Sequence, residues 1–217
     1  MKNFSEGKKN LEFLPQEILD KALVCADYAM EREILALNTA KEKNKILLPE
    51  VIKVLALSQG RVIVSGIGKS GHIGKKIAAT LASTGTPSFF VHSTESLHGD
   101  SGMFVSGDVA ILISYSGTTA EVVQLATMLS QRGVKTIAMT KSAESILAQE
   151  CDLFIDISVE READPLNLAP TASTTVTLML GDSIASALMG IYNFEPKDFK
   201  FFHPGGALGS KLSGGKK

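Results

Sequence analysis

Two spacings of apolar residues divide the chain. From Pro15 to about Lys43, Ile18, Ala22, Cys25, Ala29, Ile34 and Leu37 approximate a 3.6-residue stripe and predict one long helix. Pro15 is tolerated in its first turn. A second helix is expected over about Leu48–Ser58, stopping at Gly60. Short continuous apolar runs then alternate with helical patterns. Strands are expected at Arg61–Ser65, Ser88–His92, Asp108–Ser114, Val134–Thr140 and Asp152–Ile157, with helices over Gly71–Ser83, Thr119–Gln131, a short stretch before Asp152, and about Ala172–Tyr192. Apolar strands separated by helices mean a parallel sheet covered on both faces. The expected fold is therefore α/β: a three-layer, five-stranded parallel sheet with an N-terminal helical extension. One domain is expected across residues 1–217, with helices at about 15–58, the core at about 60–192 and a C-terminal segment, 193–217, whose last residues, Ser213–Lys217, should fray.

Composition narrows the function without naming it. The 217 residues are 44% hydrophobic and 21% charged, as in a packed protein rather than a disordered one. The net charge of -1 argues against bulk attraction to nucleic acid or to an anionic membrane. Cys25 and Cys151 form neither a disulfide framework nor a zinc spacing. The N-terminus lacks the apolar core of a signal peptide. The uncharged stretch at Ile77–Thr94 is broken by Gly85, Pro87 and His92. A soluble, cytoplasmic protein is expected.

Ligands of open parallel sheets bind beyond the carboxyl ends of the strands. Three segments there are unusual. Gly66-Ile-Gly-Lys-Ser-Gly71 satisfies GxGxxG, but the second strand ends Val91-His92-Ser93 with no acid to hold a ribose. A Walker A loop fails too, because Ile63 stands where its first glycine belongs. Lys69 sits at a helix N-terminus, where the dipole is already positive, and so points to a bound anion. Ser114-Tyr-Ser-Gly-Thr-Thr-Ala-Glu121 crowds Ser114, Ser116, Thr118 and Thr119 into one strand-to-helix turn. Capping the helix uses one hydroxyl; four suit a phosphate cradle better. Glu160, Glu162 and Asp164 lie after the last strand, where Glu162 stands out from an ordinary solvated charge run. His92, His98 and His203 occupy strand-end or loop settings, without the spacing of a metal site.

Together, Gly66-Ile-Gly-Lys-Ser-Gly-His-Ile-Gly74, Ala82–His92, His98-Gly-Asp100, the Ser114–Glu121 loop, Leu168–Thr175, Gly181-Asp182 and His203-Pro-Gly-Gly-Ala-Leu-Gly209 closely resemble the sugar isomerase (SIS) family, over about residues 15–212. Within it they are similar to the branch that interconverts D-ribulose 5-phosphate and D-arabinose 5-phosphate. The resemblance implies a flavodoxin-like SIS fold, a homotetramer with active sites shared between subunits, no cofactor, and a product feeding Kdo synthesis for lipopolysaccharide or capsule. It carries catalytic roles to Lys69, Glu121, Glu162 and His203. Gly85, Thr86, His92 and His98 match substrate-proximal positions, and His92 matches a site of inhibitory zinc. Ser70, Ser114, Ser116 and Thr119 are expected to hold the phosphate, with Thr118 beside them. Tyr115 and Thr118 depart from the usual Asn and Glu, and the tandem CBS domains of longer members are not expected. The rival readings are an isomerase for a heptose or hexulose phosphate and a non-catalytic sugar-phosphate-binding regulator.

Overall fold

The computed structural model describes residues 14–204. The tail expected to fray, and residues 205–209 of the glycine-rich motif, lie outside the described residues. In chain order the elements are α1 (Gln16–Asn44), α2 (Leu48–Leu57), β1 (Val62–Gly66), α3 (Gly68–Ser83), β2 (Ser88–His92), α4 (Ser93–Ser96), a 3-10 turn (Asp100–Met103), β3 (Val109–Ile113), α5 (Ala120–Gln131), β4 (Lys135–Thr140), α6 (Ile146–Glu150), β5 (Leu153–Asp156), α7 (Ala172–Ile191) and α8 (Pro196–Phe202). The five expected strands are all present and all parallel, in the order β2-β1-β3-β4-β5. This is the flavodoxin-like order, whose switch point lies between β1 and β3.

Alternation along each strand sorts the core into two layers. Val62, Val64, Val109, Ile111, Ile113, Ile137 and Met139 point to one face and pack with α3, α7 and the ends of α1 and α2. Ile63, Ala110, Leu112 and Ala138 point to the other, under Val122, Leu125, Ala126 and Leu129 of α5 and Leu147 of α6. Helix α7 is long and apolar enough to cross a membrane by length and composition. Here Val176, Leu180, Ile184 and Leu188 are buried in the first of these layers.

Two sequence expectations change. The α1 stripe is only partly covered: Ala29 and Leu37 pack against the core, while Ile18 and Ile34 are 48% and 60% exposed and Cys25 is exposed. The buried positions are Ala36, Ala40 and Asn44, one per turn near the carboxyl end. Small residues let that end lie close to α7. The buried Asn44 amide donates to the carbonyl of Asp156, and its Oδ1 accepts the Asp156 N–H, so the edge strand β5 finds a partner in a side chain. The amino-terminal half of α1 runs past the sheet and leaves Leu23, Val24 and Met30 uncovered. The second change is at α3, which begins at Gly68 rather than Gly71 and so takes Lys69 and Ser70 into its first turn. Close packing requires the glycines there. A Cβ on Gly71 would come within 3.1 Å of the Gly66 carbonyl oxygen, and one on Gly74 within 3.0 Å of the Phe90 ring.

Candidate active site

The carboxyl ends of β1, β3, β4 and β5 surround a cavity of about 600 Å³, within the usual size for a small-molecule site. From α3 come Lys69 and Ser70; from the loop after β3, Tyr115; from the end of β4, Lys141; from the loop after β5, Arg161, Glu162 and Asn167; from α7, Ser173. Lys69 is exposed and makes no ion pair among the described residues.

The segment after β5 folds on itself before α7 starts. The Asp164 carboxylate accepts the N–H groups of Leu166, Leu168 and Ala169, each at 2.9 Å. These bonds outweigh the upward effect of desolvation and hold its pKa below the ordinary value. Asn167, in a left-handed conformation, accepts the Glu162 N–H through Oδ1 at 2.6 Å. Glu162 then turns its carboxylate onto the start of α7. Its Oε2 accepts from the Thr171 N–H (2.9 Å), the Thr171 hydroxyl (3.2 Å) and the Ser173 N–H (3.1 Å), while Oε1 accepts from the buried Ser173 hydroxyl. Free N–H groups at a helix start are natural partners for a carboxylate. Glu162 is therefore an acid held in one orientation on the wall of the cavity. Of the three acids in this run, Asp164 organises the loop and Glu160 is 81% exposed on its side chain.

Tyr115 closes the wall between the loops. Its carbonyl accepts from the Lys141 N–H and the Thr140 hydroxyl, its ring lies 5.8 Å from Lys141 Nζ, and its hydroxyl accepts the Val159 N–H at 3.4 Å. Burial, then the nearby charges of Glu162 and Asp156, raise its pKa, with the Val159 N–H opposing, so it stays a neutral phenol. Sequence reasoning treated Tyr115 only as a departure and did not single out Lys141, Arg161 and Asn167. Lys141 comes directly after β4, so the strand-end rule already pointed to it.

Of the hydroxyl-rich loop at the β1–β3 switch point only Tyr115 lines this cavity; Ser114, Ser116, Thr118 and Thr119 lie beside it. Ser114 and Thr119 hydroxyls pair at 2.7 Å, and Thr118 donates to Ser116 through its N–H (3.2 Å) and hydroxyl (3.0 Å). No side chain caps α5 at Thr119, so these hydroxyls are not spent on capping. Glu121 stands in the first turn of α5 but does not line the cavity. His92 ends β2 with a buried, unpartnered Nδ1, and His98 is exposed beyond α4. Among the described residues no group of three or more His, Cys, Asp or Glu side chains could hold a metal, at His92 or elsewhere.

The remaining expected residues gather at the opposite rim. Gly85 and Thr86 come after α3, whose 16 residues carry the chain roughly 24 Å from its start beside Lys69. His203 comes after α7, whose 20 residues carry the chain roughly 30 Å away from Ser173. Phe194 packs on Gly85 and stacks with Phe202, which fixes α8 at that rim. The His203 ring stacks on Phe199 with centroids 3.9 Å apart. Within one chain, His203, Gly85 and Thr86 do not meet Lys69 and Glu162, because α3 and α7 both run antiparallel to the strands and deliver the next stretch of chain to the far end.

The chain is 56% identical over 160 residues to the arabinose 5-phosphate isomerase KdsD of Pseudomonas aeruginosa, a match covering 74% of this chain and 49% of that protein. It is 55% identical over 154 residues to the arabinose 5-phosphate isomerase GutQ of Escherichia coli strain K12, covering 71% and 48%. The chain thus spans about half the length of the curated relatives it matches. An Escherichia coli CFT073 protein solved in complex with arabinose 5-phosphate superposes with a TM-score of 0.81 at 45% identity, covering 85% of this chain and 98% of that one. The SIS domain model matches residues 56–187, the whole sheet and most of α7, and the chain belongs to the SIS domain family.

Proposed function

We propose that the chain is an aldose–ketose isomerase that interconverts D-ribulose 5-phosphate and D-arabinose 5-phosphate through a cis-enediol. The observation that carries this is Glu162, a carboxylate fixed by four hydrogen bonds on the wall of a sugar-sized cavity that also holds Lys69. The two isomerases above, 56% and 55% identical over the matched 160 and 154 residues, and the neighbour solved in complex with arabinose 5-phosphate support the choice of sugar. The reaction moves one proton between C1 and C2 and needs a base that can take and return it, with a donor for the enediolate oxygen. It requires no redox cofactor.

Glu162 is the proton shuttle in this reading, because it lines the cavity and Glu121 does not. Lys69 stabilises the enediolate oxygen or the phosphate. Ser70, the N-terminus of α3 and the Ser114–Thr119 loop anchor the phosphate. Held in place, the sugar reacts as an intramolecular partner, which is worth about 7–11 kcal/mol at best. His203 opens the sugar ring and reaches the cavity from a neighbouring chain. The uncovered apolar residues of α1 offer a surface for the homo-oligomer this requires, a tetramer in our reading. The enzyme acts in the cytoplasm and supplies Kdo synthesis.

Incubation with D-ribulose 5-phosphate in deuterium oxide tests the proposal. Arabinose 5-phosphate carrying solvent deuterium at C2 is the expected product. Turnover of only a heptose or hexulose phosphate would refute the substrate, and product free of solvent deuterium would refute an exchanging enediol base.

A further inference from the structure

Residues 159–161 separate two cavities. One side faces Lys69 and Glu162. On the other side, the same three residues and α1 enclose a smaller cavity of about 230 Å³, into which Arg32, Thr39 and Lys43 project from α1. Three cations therefore line it, Arg32, Lys43 and Arg161, against one carboxylate, Glu160. That balance departs from the net charge of -1 of the whole chain.

The cations are poorly answered among the described residues. Arg32 Nη1 stands 3.9 Å from Glu160 Oε2, and the Glu160 side chain is largely in water, so the pair is weak. Both guanidinium groups face the Tyr28 ring, with their Cζ atoms 5.5 Å and 5.6 Å from its centroid. Arg161 Nε is buried with no hydrogen-bond partner. Lys43 Nζ is satisfied only by a neutral group, the Ser158 hydroxyl, at 2.7 Å. Two like charges drawn to one ring repel, and a buried guanidinium donor left unpaired is costly. A bound anion relieves both, since Arg presents a planar fork matched to phosphate and carboxylate oxygens.

We propose that this cavity binds a small, multiply charged anion of the phosphate or carboxylate class, separately from the catalytic cavity. At about 230 Å³ it falls below the ~300–1,000 Å³ of sites for larger organic ligands, so a compact dianion fits better than a nucleotide. Because Val159, Glu160 and Arg161 line both cavities, the anion bears on the backbone that leads into Glu162 and modulates turnover from outside the reacting centre.

The test is calorimetric titration with pyrophosphate and, in a second arm, with malonate, on the full chain and on the double variant Arg32→Ala/Lys43→Ala. Neither residue belongs to the catalytic set. The wild-type chain should show a binding event that the variant loses or weakens at least tenfold, while the variant's anion-free KM and kcat stay within about twofold. Binding of pyrophosphate alone assigns the site to phosphates; binding of malonate with equal strength assigns it to dianions in general. If the double variant does not fold, Lys43→Gln, which removes one exposed hydrogen bond, carries the same comparison. Equal binding by wild type and variant, or no second event in the wild type, overturns the proposal. So does a variant that falls apart in size-exclusion chromatography beside a wild type that binds neither anion, because the cations then serve a contact between copies.

Discussion

A mixture of two inactive chains should recover about a quarter of wild-type activity. The reasoning starts from helix geometry. Helix α7 has 20 residues and α3 has 16, so they run roughly 30 Å and 24 Å from the rim that holds Ser173 and Lys69 to beyond the opposite rim. Lys69 and Glu162 are at one rim, and His203 is held at the other by the packing of Phe194 on Gly85 and of Phe202 on Phe194. A site needing all three must draw His203 from a second chain. Lys69→Ala and His203→Ala should each lower kcat by about 10²–10⁴-fold, leaving at most ~1% activity. In randomly assembled symmetric oligomers, a site takes its Lys69 wall from a His203→Ala chain half the time and its His203 from a Lys69→Ala chain half the time, so about one site in four is intact. The assay is co-expression with two affinity tags, tandem purification of the mixed species, and initial rates with ribulose 5-phosphate. Activity that stays at the mean of the two parents would refute the shared site, whatever the fate of the substrate assignment.

Three further outcomes rest on individual contacts. Glu162→Gln should lower kcat by about 10²–10⁴-fold with circular dichroism unchanged; Ser173→Ala, which removes one donor to that carboxylate, should cost about 1 kcal/mol or more in urea unfolding and lower kcat without a matching change in KM. The Asp108 side chain is fully buried and accepts from the Arg61 N–H and guanidinium and from the Val105 N–H, joining the starts of β1 and β3. Desolvation raises its pKa, but these bonds outweigh it and the net shift is downward, so its stabilisation is present above about pH 4 and is lost as pH falls through the lower folded value. Asp108→Asn should therefore cost about 1.5–3 kcal/mol at pH 7, the range for hydrogen bonds to a charged group, because Arg61 is partly exposed, and the gap to wild type should close in acid denaturation below pH 4. Gly181→Ala would drive a Cβ to 2.5 Å from the buried Ile77 side chain between α7 and α3, costing about 1–3 kcal/mol by thermal melting, with Ile77→Ala partly restoring stability in the double variant.

Much of the fold was legible because buried parallel strands leave a plain mark. Each of the five is apolar on both faces, and each was expected within about two residues of its position. The rim that carries the cavity was legible too, since the segments at Lys69, Tyr115, Lys141 and Glu162 all come after strand ends. Other features were not. The apolar stripe of α1 predicted a helix correctly but not how much of it is covered, because periodicity reports which residues share a side and not whether anything packs on it. Helix α8 was missed because its seven residues bury nothing fully, and its Glu195–Asp198 capping box, rather than an apolar stripe, marks it. The run Glu160, Glu162, Asp164 reads as three similar acids; only the folded loop ties Asp164 to the backbone, fixes Glu162 on the cavity wall and leaves Glu160 largely in water at the cavity mouth.

The amino-acid sequence alone determined that this chain forms a two-sided parallel sheet with glycine- and hydroxyl-rich turns along its carboxyl edge, since those are local preferences of backbone and side chain. Which residues share a cavity was decided only in three dimensions. Strand order brings β1 beside β3, and antiparallel helices carry His203 away from Lys69 and Glu162. These are consequences of packing between distant segments, and distances of that kind are not written in local spacing.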